Sequence, residues 1–302
     1  RGPDGERVWW DETVTLGHNL LSIMANPDLS RQPWKTPKGN ILVYNGEIFN
    51  YYELKKKYNG KGFAGITGCD TELLAWGLDE FGLDFIDEVD SMHGFAYYEA
   101  AKQQITLSRD HAGVKPVYYA EVQQGLVFGS EIKGMLDKVP GSRKLDELAV
   151  GCMTTTGINP LRNTFFTGIQ KLLAGETIVY DIANKKITNT KRVFVRPNSN
   201  KKFDQAEFRK VARESIKMAS IGRRKIGVFL SGGLDSSLVA YELKNVLGEA
   251  NTFTNRMEPN YVHPKDGDYN EDADCASVLA NENEFNHKEI TITPEIVKQY
   301  WN

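Results

Sequence analysis

Cysteine is scarce in this sequence, and its three cysteines, Cys69, Cys152 and Cys275, lie far apart. So few thiols at irregular spacing do not form a disulfide framework, and they predict a reducing compartment, the cytoplasm. Long apolar runs are also missing, because no stretch of about 18 consecutive apolar residues occurs. We therefore expect no membrane span, and the sequence contains no secretory signal pattern.

An excess of charge of one sign is absent as well. The chain carries 37 Lys and Arg residues against 40 Asp and Glu residues, which gives a formal net charge of −3. This balance gives no reason to expect a nucleic-acid partner. His18, His93 and His111 are spaced too irregularly for a metal site, so we expect core or hydrogen-bonding roles for them.

Residues 1–188 are rich in short β-type runs separated by turn residues. These runs are residues 40–49, 93–100, 104–110, 117–122 and 177–182. Two helical stretches interrupt them: one follows Asn50, and the other begins at Asp70 or Thr71, either of which is a plausible N-cap. The second stretch has apolar residues on one face, namely Leu73, Leu74 and Leu78. Helices mixed with antiparallel strands indicate an α+β layered domain.

Residues 189–204 are polar and basic and contain proline, which indicates a linker between two domains. From residue 205 to residue 302 an amphipathic helix is followed by an apolar strand, a loop, a second helix and a second strand. The apolar stripe of the first helix consists of Phe208, Val211, Ala212 and Ile216. The strand–helix–strand order predicts a parallel sheet, as in α/β domains.

The segment "KIGVFLSGGLDSSLVA", residues 225–240, carries the clearest chemical signal. An apolar strand, 226–230, leads into a turn of one serine and two glycines, and Asp235 and two serines fall in the first turn of the next helix. Glycines let the backbone approach phosphates, and free amides at a helix start attract anions. Because an aspartate repels phosphate unless a divalent cation lies between them, the loop suits a Mg²⁺-bound pyrophosphate. A plain strand-to-helix turn with a capping aspartate is the alternative, and seven residues in this order argue against it.

The stretch "SGGLDSS" resembles the pyrophosphate loop of enzymes that split ATP into AMP and pyrophosphate, among them asparagine, argininosuccinate and GMP synthetases. The lysine that follows the glycines in nucleoside triphosphatases is absent here. The resemblance implies that the loop holds a pyrophosphate leaving group while a carboxylate is adenylated. It also implies ATP and Mg²⁺ as cofactors, with Asp235 facing the metal through the phosphates. The implied ATP-binding residues are Leu230, Ser231, Gly232, Gly233, Leu234, Asp235, Ser236 and Ser237.

Several stretches of the first domain resemble the glutaminase domain of asparagine synthetases, a class II glutamine amidotransferase of the N-terminal-nucleophile type. They are "RGPDG", "GHNLLSI", "YNGEIFNYYEL", "GCDTELL", "RDHAGVKPVYY", "FGSEIKGM" and "TFFTGIQKLLAGE". The resemblance runs over nearly the whole chain and implies an α+β layered sandwich of the N-terminal-nucleophile type over residues 1–188. Residues 205–302 are then the N-terminal part of an ATP-pyrophosphatase domain, an α/β fold with a parallel sheet.

The resemblance also implies roles for individual residues of the first domain. The Asn45 side-chain amide and the Gly46 N–H would form an oxyanion hole for amide hydrolysis. Glu47 and Asp70 would receive the ammonium group of glutamine. Taken alone, "NGE" favours a type I′ hairpin turn, and only the surrounding matches favour the oxyanion hole. Structural roles are expected for residues of the "RDHAGVKP" stretch, Arg109, Asp110, Lys115 and Pro116.

Two departures from the family pattern bear on the glutaminase half. The family's nucleophile is an N-terminal cysteine whose own α-amino group acts as base, and it would lie upstream of this sequence. Cys69 has no base beside it, so we expect a structural or incidental role. Leu20 stands where the family typically has an arginine that grips the substrate carboxylate. We therefore expect weakened glutamine binding unless Arg31 or another cation compensates.

The sequence thus predicts an ATP-dependent, glutamine-hydrolysing asparagine synthetase, in which ammonia from glutamine attacks a β-aspartyl-AMP. The implied partners are glutamine, aspartate and ATP, and a homodimer is left open. Later synthetase motifs would follow residue 302, so the chain is expected to be part of a longer protein. Two alternatives remain: an adenylating amide-forming ligase with an inactive glutaminase half, like β-lactam synthetases or lasso-peptide cyclases, and a non-catalytic truncated homologue.

Overall fold

The computed structural model describes residues 2–194, 200–258 and 270–300. The chain divides into two compact units, Arg1–Asn198 and Ser199–Asn302, called unit 1 and unit 2 below. Over the described ranges, none of the helices is both long and apolar enough to cross a membrane.

The predicted linker differs from the structure at its start. Residues 189–192 belong to a strand, Lys186–Arg192, that pairs with the strand before it. Backbone pairing along the edge of a sheet satisfies the polar groups of these residues despite their linker-like composition. Residues 195–199 of the same stretch lie outside the described residues.

Unit 1 is built from short strands and three described α-helices. The strands are β1 Gly5–Trp10, β2 Thr15–Leu20, β3 Trp34–Lys35, β4 Ile41–Ile48, β5 Ser91–Glu99, β6 Gln104–Arg109, β7 Tyr118–Val122, β8 Gly125–Gly129, β9 Gln170–Lys171, β10 Glu176–Asp181 and β11 Lys186–Arg192. The helices are α1 Tyr51–Tyr58, α2 Asp70–Phe81 and α3 Glu147–Thr156. The β-type runs and the two helical stretches predicted from sequence are all present, with ends that differ by one or two residues.

The strands of unit 1 form layers. A six-stranded antiparallel sheet has the order β11-β10-β6-β5-β4-β3, and β8-β7-β9 and β1-β2 form two smaller sheets. A core that includes Leu16, Leu107 and Tyr119 lies between the large sheet and the smaller ones. Helix α2 contacts β4 and buries Leu73 and Leu74. This arrangement of antiparallel sheets and helices confirms the predicted α+β layered fold.

Helix α2 begins differently from the expectation. Its N-cap is Cys69, not Asp70 or Thr71, and the cap side chain makes no capping hydrogen bond. The Asp70 carboxylate instead turns inward and accepts hydrogen bonds from Tyr44 and Ile48. Because a buried carboxylate needs such donors, tertiary contacts override the local capping preference.

Unit 2 contains strands β12 Gly227–Phe229, β13 Asn251–Met257 and β14 Asn286–Ile292 and helices α4 Gln205–Ala219, α5 Leu234–Leu247, α6 Glu271–Glu282 and α7 Pro294–Tyr300. The strands form a parallel sheet in the order β12-β13-β14, as predicted. The small core of unit 2 consists mostly of alanines, packed with Leu230 and Phe285. In the predicted apolar stripe of α4, Phe208 and Val211 are 50 % and 55 % exposed, whereas Ala212 and Ile216 are partly buried.

Candidate functional site

The Asn-Gly pair of "NGE" lies in the middle of a strand. β4 pairs antiparallel with β5 along its whole length, so that Asn45 lies opposite Gly94 and Gly46 lies opposite His93. A type I′ hairpin turn at these residues is therefore excluded. Cross-strand pairing over the whole strand outweighs the local turn preference of Asn-Gly.

One edge of β4 is covered by a neighbouring strand only at its first two residues. Further along, side chains bond to this edge. Gln32 donates to the Tyr44 carbonyl (3.0 Å) and accepts the Tyr44 N–H (2.6 Å), and the Asp70 carboxylate accepts the Ile48 N–H (3.2 Å). Alternate residues of a strand direct their N–H groups to the same edge, so the N–H of Gly46 faces away from β5, between these two bonded positions.

Gly46 has no room for a side chain. A Cβ atom there would lie 2.3 Å from the carbonyl oxygen of Met92 and 2.5 Å from the Tyr44 ring. A larger residue would therefore shift the strand and its outward-facing N–H. The structure brings Asn45 and Gly46 to the same cavity, described below.

Asp70 is 5 % exposed, and donors surround its carboxylate. Oδ2 accepts from the Tyr44 hydroxyl and the Ile48 N–H, both at 3.2 Å, and Oδ1 accepts from the Thr71 N–H at 3.0 Å and the Cys69 thiol at 3.6 Å. Burial raises the pKa of Asp70 and outweighs these hydrogen bonds, which lower it. A cation placed beside this oriented carboxylate would favour its ionised form.

Glu47 is a second buried carboxylate, 6 % exposed. Burial raises its pKa to about 7, with a further increase from Asp70 and a decrease from Lys115. Two carboxylates and one lysine therefore share this interior region. Its charge balance favours the entry of one more positive group.

Hydrogen bonds from Arg109 and to Asp110 fix the loop that carries Lys115. Asp110 is 1 % exposed and accepts backbone N–H groups of its own loop, including that of Lys115 at 3.0 Å. Arg109 donates to the carbonyls of Lys115 (2.8 Å) and Leu172 (2.7 Å). These contacts give Arg109 and Asp110 the structural roles expected for them, and they set the position of Lys115.

A cavity of about 1170 Å³ opens beside this edge of β4. Asn45, Gly46 and Asp70 line it, together with Lys115 and Leu20. Glu47 does not line the cavity, but Asp70, which does, raises the pKa of Glu47. The structure thus brings three of the four residues expected at a glutamine site to one cavity, and the fourth is buried outside the lining.

Sequence reasoning missed Gln32 and Tyr44, which shape the cavity wall. Gln32 lies outside the quoted stretches, and Tyr44 opens "YNGEIFNYYEL" without a role of its own, because each acts through contacts formed only on folding. His18, expected to have a hydrogen-bonding role, donates from Nε2 to the Tyr44 carbonyl (3.1 Å), and burial lowers its pKa. Gln32 and His18 thus bond to the backbone of β4 where no strand covers it.

Leu20 lines the cavity at the end of β2 and is 7 % exposed. Arg31, considered from sequence as a replacement cation, pairs with Asp28 and lines a separate, smaller pocket of about 230 Å³. The large cavity does not include it. Arg31 is therefore not placed to bind an anionic group in the large cavity beside Leu20.

Cys69 also lines the cavity, and its thiol is buried. Burial raises its pKa to about 11, and the neighbouring Asp70 acts in the same direction. The thiol is therefore protonated at neutral pH, whereas a nucleophile must be a thiolate. This agrees with the expected structural or incidental role.

In unit 2, β12 ends at Phe229 and α5 begins at Leu234, so residues 230–233 form the strand-to-helix turn expected from sequence. Gly233 is the N-cap and provides no capping side chain, which leaves the first amides of α5 without a side-chain partner at the cap. Asp235 is exposed in the first helical turn. A helix start of this kind is suited to bind an anion.

Serine hydroxyls surround the same turn. Ser236 Oγ lies 3.0 Å from Ser231 Oγ and accepts the Ser231 N–H at 3.2 Å, and Ser237 donates to the Gly233 carbonyl at 2.6 Å. Gly232 has a φ of +73°, and a Cβ there would lie 2.6 Å from Cβ of Cys275. The tight turn therefore depends on glycine at this position.

The donor set of the loop fits a phosphate-bound Mg²⁺ better than a metal enclosed by protein. Within the described parts of the chain, no group of three or more His, Cys, Asp or Glu side chains is placed to hold a metal. Mg²⁺ in nucleotide sites commonly takes one or two carboxylates and completes its shell with phosphate oxygens and water. Within the described loop, residues 230–237, Asp235 supplies the carboxylate, and phosphate oxygens would provide further ligands.

Comparisons with known proteins agree with this division. Residues 1–193 match the family model of the glutamine amidotransferase domain, and residues 207–301 match that of asparagine synthase. Glutamine-hydrolyzing asparagine synthetase 2 of Bacillus subtilis is 29% identical over 286 residues, which cover 87% of this chain and 38% of that protein. Asparagine synthetase B of Escherichia coli is 28% identical over 242 residues, covering 80% of this chain and 39% of that protein.

This chain spans between 38% and 55% of the length of these and another curated relative, from Methanocaldococcus jannaschii. Among solved structures, glutamine phosphoribosylpyrophosphate amidotransferase from B. subtilis, complexed with ADP and GMP, has a TM-score of 0.37 and 16% identity, covering 90% of this chain and 53% of that one. Because the amidotransferase model matches well over half of its residues, this chain belongs to the glutamine amidotransferase family, with an asparagine synthase segment following the amidotransferase domain.

Proposed function

We propose that this chain supplies the glutamine-binding and ATP-binding parts of a ligase that converts aspartate to asparagine with nitrogen from glutamine. One observation carries the proposal: Asn45 and Gly46 of β4 and Asp70 of α2 line one cavity in a chain that also presents "SGGLDSS" at a helix start. The curated relatives are named as glutamine-hydrolyzing asparagine synthetases. Two separate domain signatures in one chain favour this ligase over either alternative.

In unit 1, the ammonium group of glutamine binds against Asp70, and the buried carboxylate of Glu47 adds negative charge. The side-chain carbonyl of glutamine lies against the Asn45 amide and the Gly46 N–H. When a nucleophile attacks that carbonyl, these donors stabilise the oxyanion, and one such donor is worth about 10²–10³ in rate. The released ammonia is the nitrogen source for the synthetase reaction.

In unit 2, residues 230–237 bind the phosphates of ATP through backbone amides and serine hydroxyls. Asp235 would hold a Mg²⁺ ion at this loop, and the bound ion would supply positive charge to the phosphates. The aspartate carboxylate attacks the α-phosphorus and expels pyrophosphate, and ammonia then displaces AMP from the β-aspartyl adenylate. The products are asparagine, glutamate, AMP and pyrophosphate.

The proposal includes a cytoplasmic location, which agrees with the scarcity of cysteine. It is compatible with a homodimer. Glutamine, aspartate and ATP are the ligands it requires.

The test uses the complete protein and two nitrogen sources. We expect Asp70→Asn to lower glutamine-dependent asparagine formation about 10- to 100-fold, because it removes a charged hydrogen-bond partner of the ammonium group. Synthesis from free ammonia should be unchanged, since ammonia bypasses that pocket. Asp87→Asn, at an exposed carboxylate paired with Lys191, is the matched control and should change neither reaction.

The ATP arm of the test is independent of glutamine. We expect Asp235→Ala and Ser236→Ala to weaken Mg-ATP binding at least about tenfold by calorimetry, whereas Glu249→Ala, an exposed acid of the same unit, should not. Equal ATP affinity in all variants would exclude the loop as the nucleotide site. A wild-type protein that uses ammonia but never glutamine would favour the ligase with an inactive glutaminase half. Absence of asparagine from either nitrogen source would overturn the proposed function.

A further inference from the structure

The cavity of unit 1 has carboxylates for the ammonium group of an amino acid, but Leu20 occupies the position from which the family's arginine reaches the carboxylate. An amino-acid ligand carries both charges on one carbon atom. Its anionic half therefore needs a cation near the same part of the cavity. Three cationic side chains line this cavity: Arg7, Lys115 and Lys133.

Two of these cations are already near carboxylates. Lys133 pairs with Glu131 at 3.2 Å and its side chain is 84% exposed. Lys115 lies close enough to Glu47 to lower the pKa of that carboxyl, on the side of the cavity that attracts the ammonium group. Arg7 forms no ion pair within the described residues, so its charge is available to a ligand.

The register of the β1–β2 hairpin puts Arg7 on the same face as Leu20. Gly5 lies opposite Leu20, Arg7 opposite His18, and Trp9 opposite Leu16. Directly opposed residues project from the same face of a strand pair, and Leu16 and Leu20 are buried on that face. Arg7 is a diagonal neighbour of Leu20, a spacing that long side chains bridge.

Space beside Leu20 is kept open by the residue opposite it. Gly5 has no side chain, and a Cβ built there would meet no heavy atom within 4 Å. Arg7 and Leu20 both line the large cavity and the smaller pocket beside it. A guanidinium group from the neighbouring strand can therefore occupy the volume that an arginine at position 20 would have filled.

We propose that Arg7, on strand β1, binds the α-carboxylate of the amino-acid substrate in this cavity. It takes the role of the family's arginine, whose position on strand β2 is occupied here by Leu20. This inference rests on the proposed function, in which that substrate is glutamine. Arg7 acts on binding: its planar guanidinium donates two hydrogen bonds to the carboxylate, while Asp70 holds the ammonium group. It revises the expectation from sequence that Leu20 weakens glutamine binding.

Two ligands that differ only at the carboxylate provide the test. The full chain is titrated by calorimetry with L-glutamine and with L-glutaminamide, whose carboxylate is replaced by a neutral amide. We expect Arg7→Met to weaken L-glutamine binding about 10- to 100-fold and to leave L-glutaminamide binding unchanged. Arg31→Met and Arg143→Met, which change two cations that do not line the large cavity, are matched controls and should change neither affinity.

A rescue variant separates a lost contact from a damaged fold. Adding Leu20→Arg to Arg7→Met returns a guanidinium to the same volume from the other strand, and we expect it to restore binding of L-glutamine selectively. Equal loss of both ligands in Arg7→Met, or a carboxylate-selective loss in Lys115→Met instead, would overturn the role of Arg7 while leaving glutamine as the substrate. Failure of the wild-type chain to bind L-glutamine at all would instead overturn the proposed function itself.

Discussion

The cavity of unit 1 and the loop of unit 2 are built in different ways. The cavity collects groups that are far apart in the chain, such as Gln32, Tyr44, Asp70 and Lys115. The loop is a single stretch, 231–237, in which the hydrogen bonds join residues no more than five positions apart. Asp70 and Tyr44 are buried, whereas most of the loop is exposed.

This difference decides what each site depends on. Buried polar groups are stable only while their partners satisfy them, so a change in unit 1 affects folding, protonation and binding together. The loop of unit 2 exposes its donors to water, which replaces a lost partner at little cost. Its substitutions should therefore affect ligand binding more than stability.

The largest effect is expected where a buried charge loses its partner. Arg162 makes two hydrogen bonds to Glu176, at 2.8 and 2.6 Å, and the Glu176 side chain is 1% exposed. We expect Arg162→Met to reduce the free energy of unfolding by about 3–5 kcal/mol, since it leaves an uncompensated buried carboxylate. Arg143→Met removes an exposed pair with Asp137 and should cost at most about 1 kcal/mol. Urea unfolding of both variants gives the comparison, and equal losses would contradict it.

Glycine substitutions test the two sites directly. Gly46→Ala puts a methyl group against the Met92 carbonyl and the Tyr44 ring, and we expect a loss of about 3 kcal/mol in the free energy of unfolding. A Cβ at Gly233 would meet only Ser231 Oγ, at 3.4 Å, so Gly233→Ala should change stability by less than about 0.5 kcal/mol. Thermal and urea unfolding measure both. A stable Gly46→Ala protein would show that the strand can yield, and the cavity would be less rigid than we describe.

Acid should weaken unit 1 through His93. Its ring lies 2.8 Å from Ser91 Oγ and 3.3 Å from Ser108 Oγ, and burial lowers its pKa to about 4. The unfolded chain protonates this histidine below its ordinary pKa of 6.5, while the folded protein keeps it neutral. Its contribution to stability is therefore complete above pH 6.5 and lost as the pH falls toward 4, by up to about 3 kcal/mol.

His93→Gln isolates this contribution because glutamine does not titrate. We expect the wild type to lose stability relative to the variant as the pH is lowered from 6.5 to 4. Urea unfolding at several pH values measures the difference. A difference that is constant over this range would mean that His93 is not buried in its neutral form.

The smallest expected effect concerns Glu47 and ligand binding. Its pKa of about 7 means that a fraction of the free protein carries a protonated Glu47 at neutral pH. An ammonium group binds the ionised form, so the affinity for L-glutamine should rise with pH through 7 and level off above it, by about tenfold between pH 6 and pH 8. Glu47→Gln should remove this step. Calorimetric titrations with L-glutamine at three pH values measure this effect. A wild-type affinity that does not change with pH would mean that the ammonium group binds away from Glu47.

Much of unit 2 could be predicted because its features are local. The apolar strand, the serine–glycine turn and the helix that starts at Leu234 are specified by neighbouring residues, and the parallel sheet follows from their order. The exposure of Phe208 and Val211 on α4 could not be predicted, since their burial depends on which residues pack against them.

Unit 1 shows the opposite case at "NGE" and Asp70. By themselves, Asn-Gly favours a hairpin and Asp70 favours a helix cap, yet the structure puts the first in mid-strand and turns the second inward. Both outcomes depend on β5 and on Tyr44, which contribute partners from elsewhere in the chain. Local preferences of about 1 kcal/mol are outweighed by many cross-strand and buried contacts.

By itself, the sequence determined the α+β and α/β division and the strand-to-helix turn at residues 230–233. Local periodicity and turn chemistry carry that information, because they depend on residues within a few positions of each other. Only the tertiary structure decided that Asp70 and Gly46 share a cavity, that Glu47 is buried with a raised pKa, and that Arg7 is a diagonal neighbour of Leu20. These properties arise from strand register and desolvation, which exist only once segments distant in the chain have paired and excluded water.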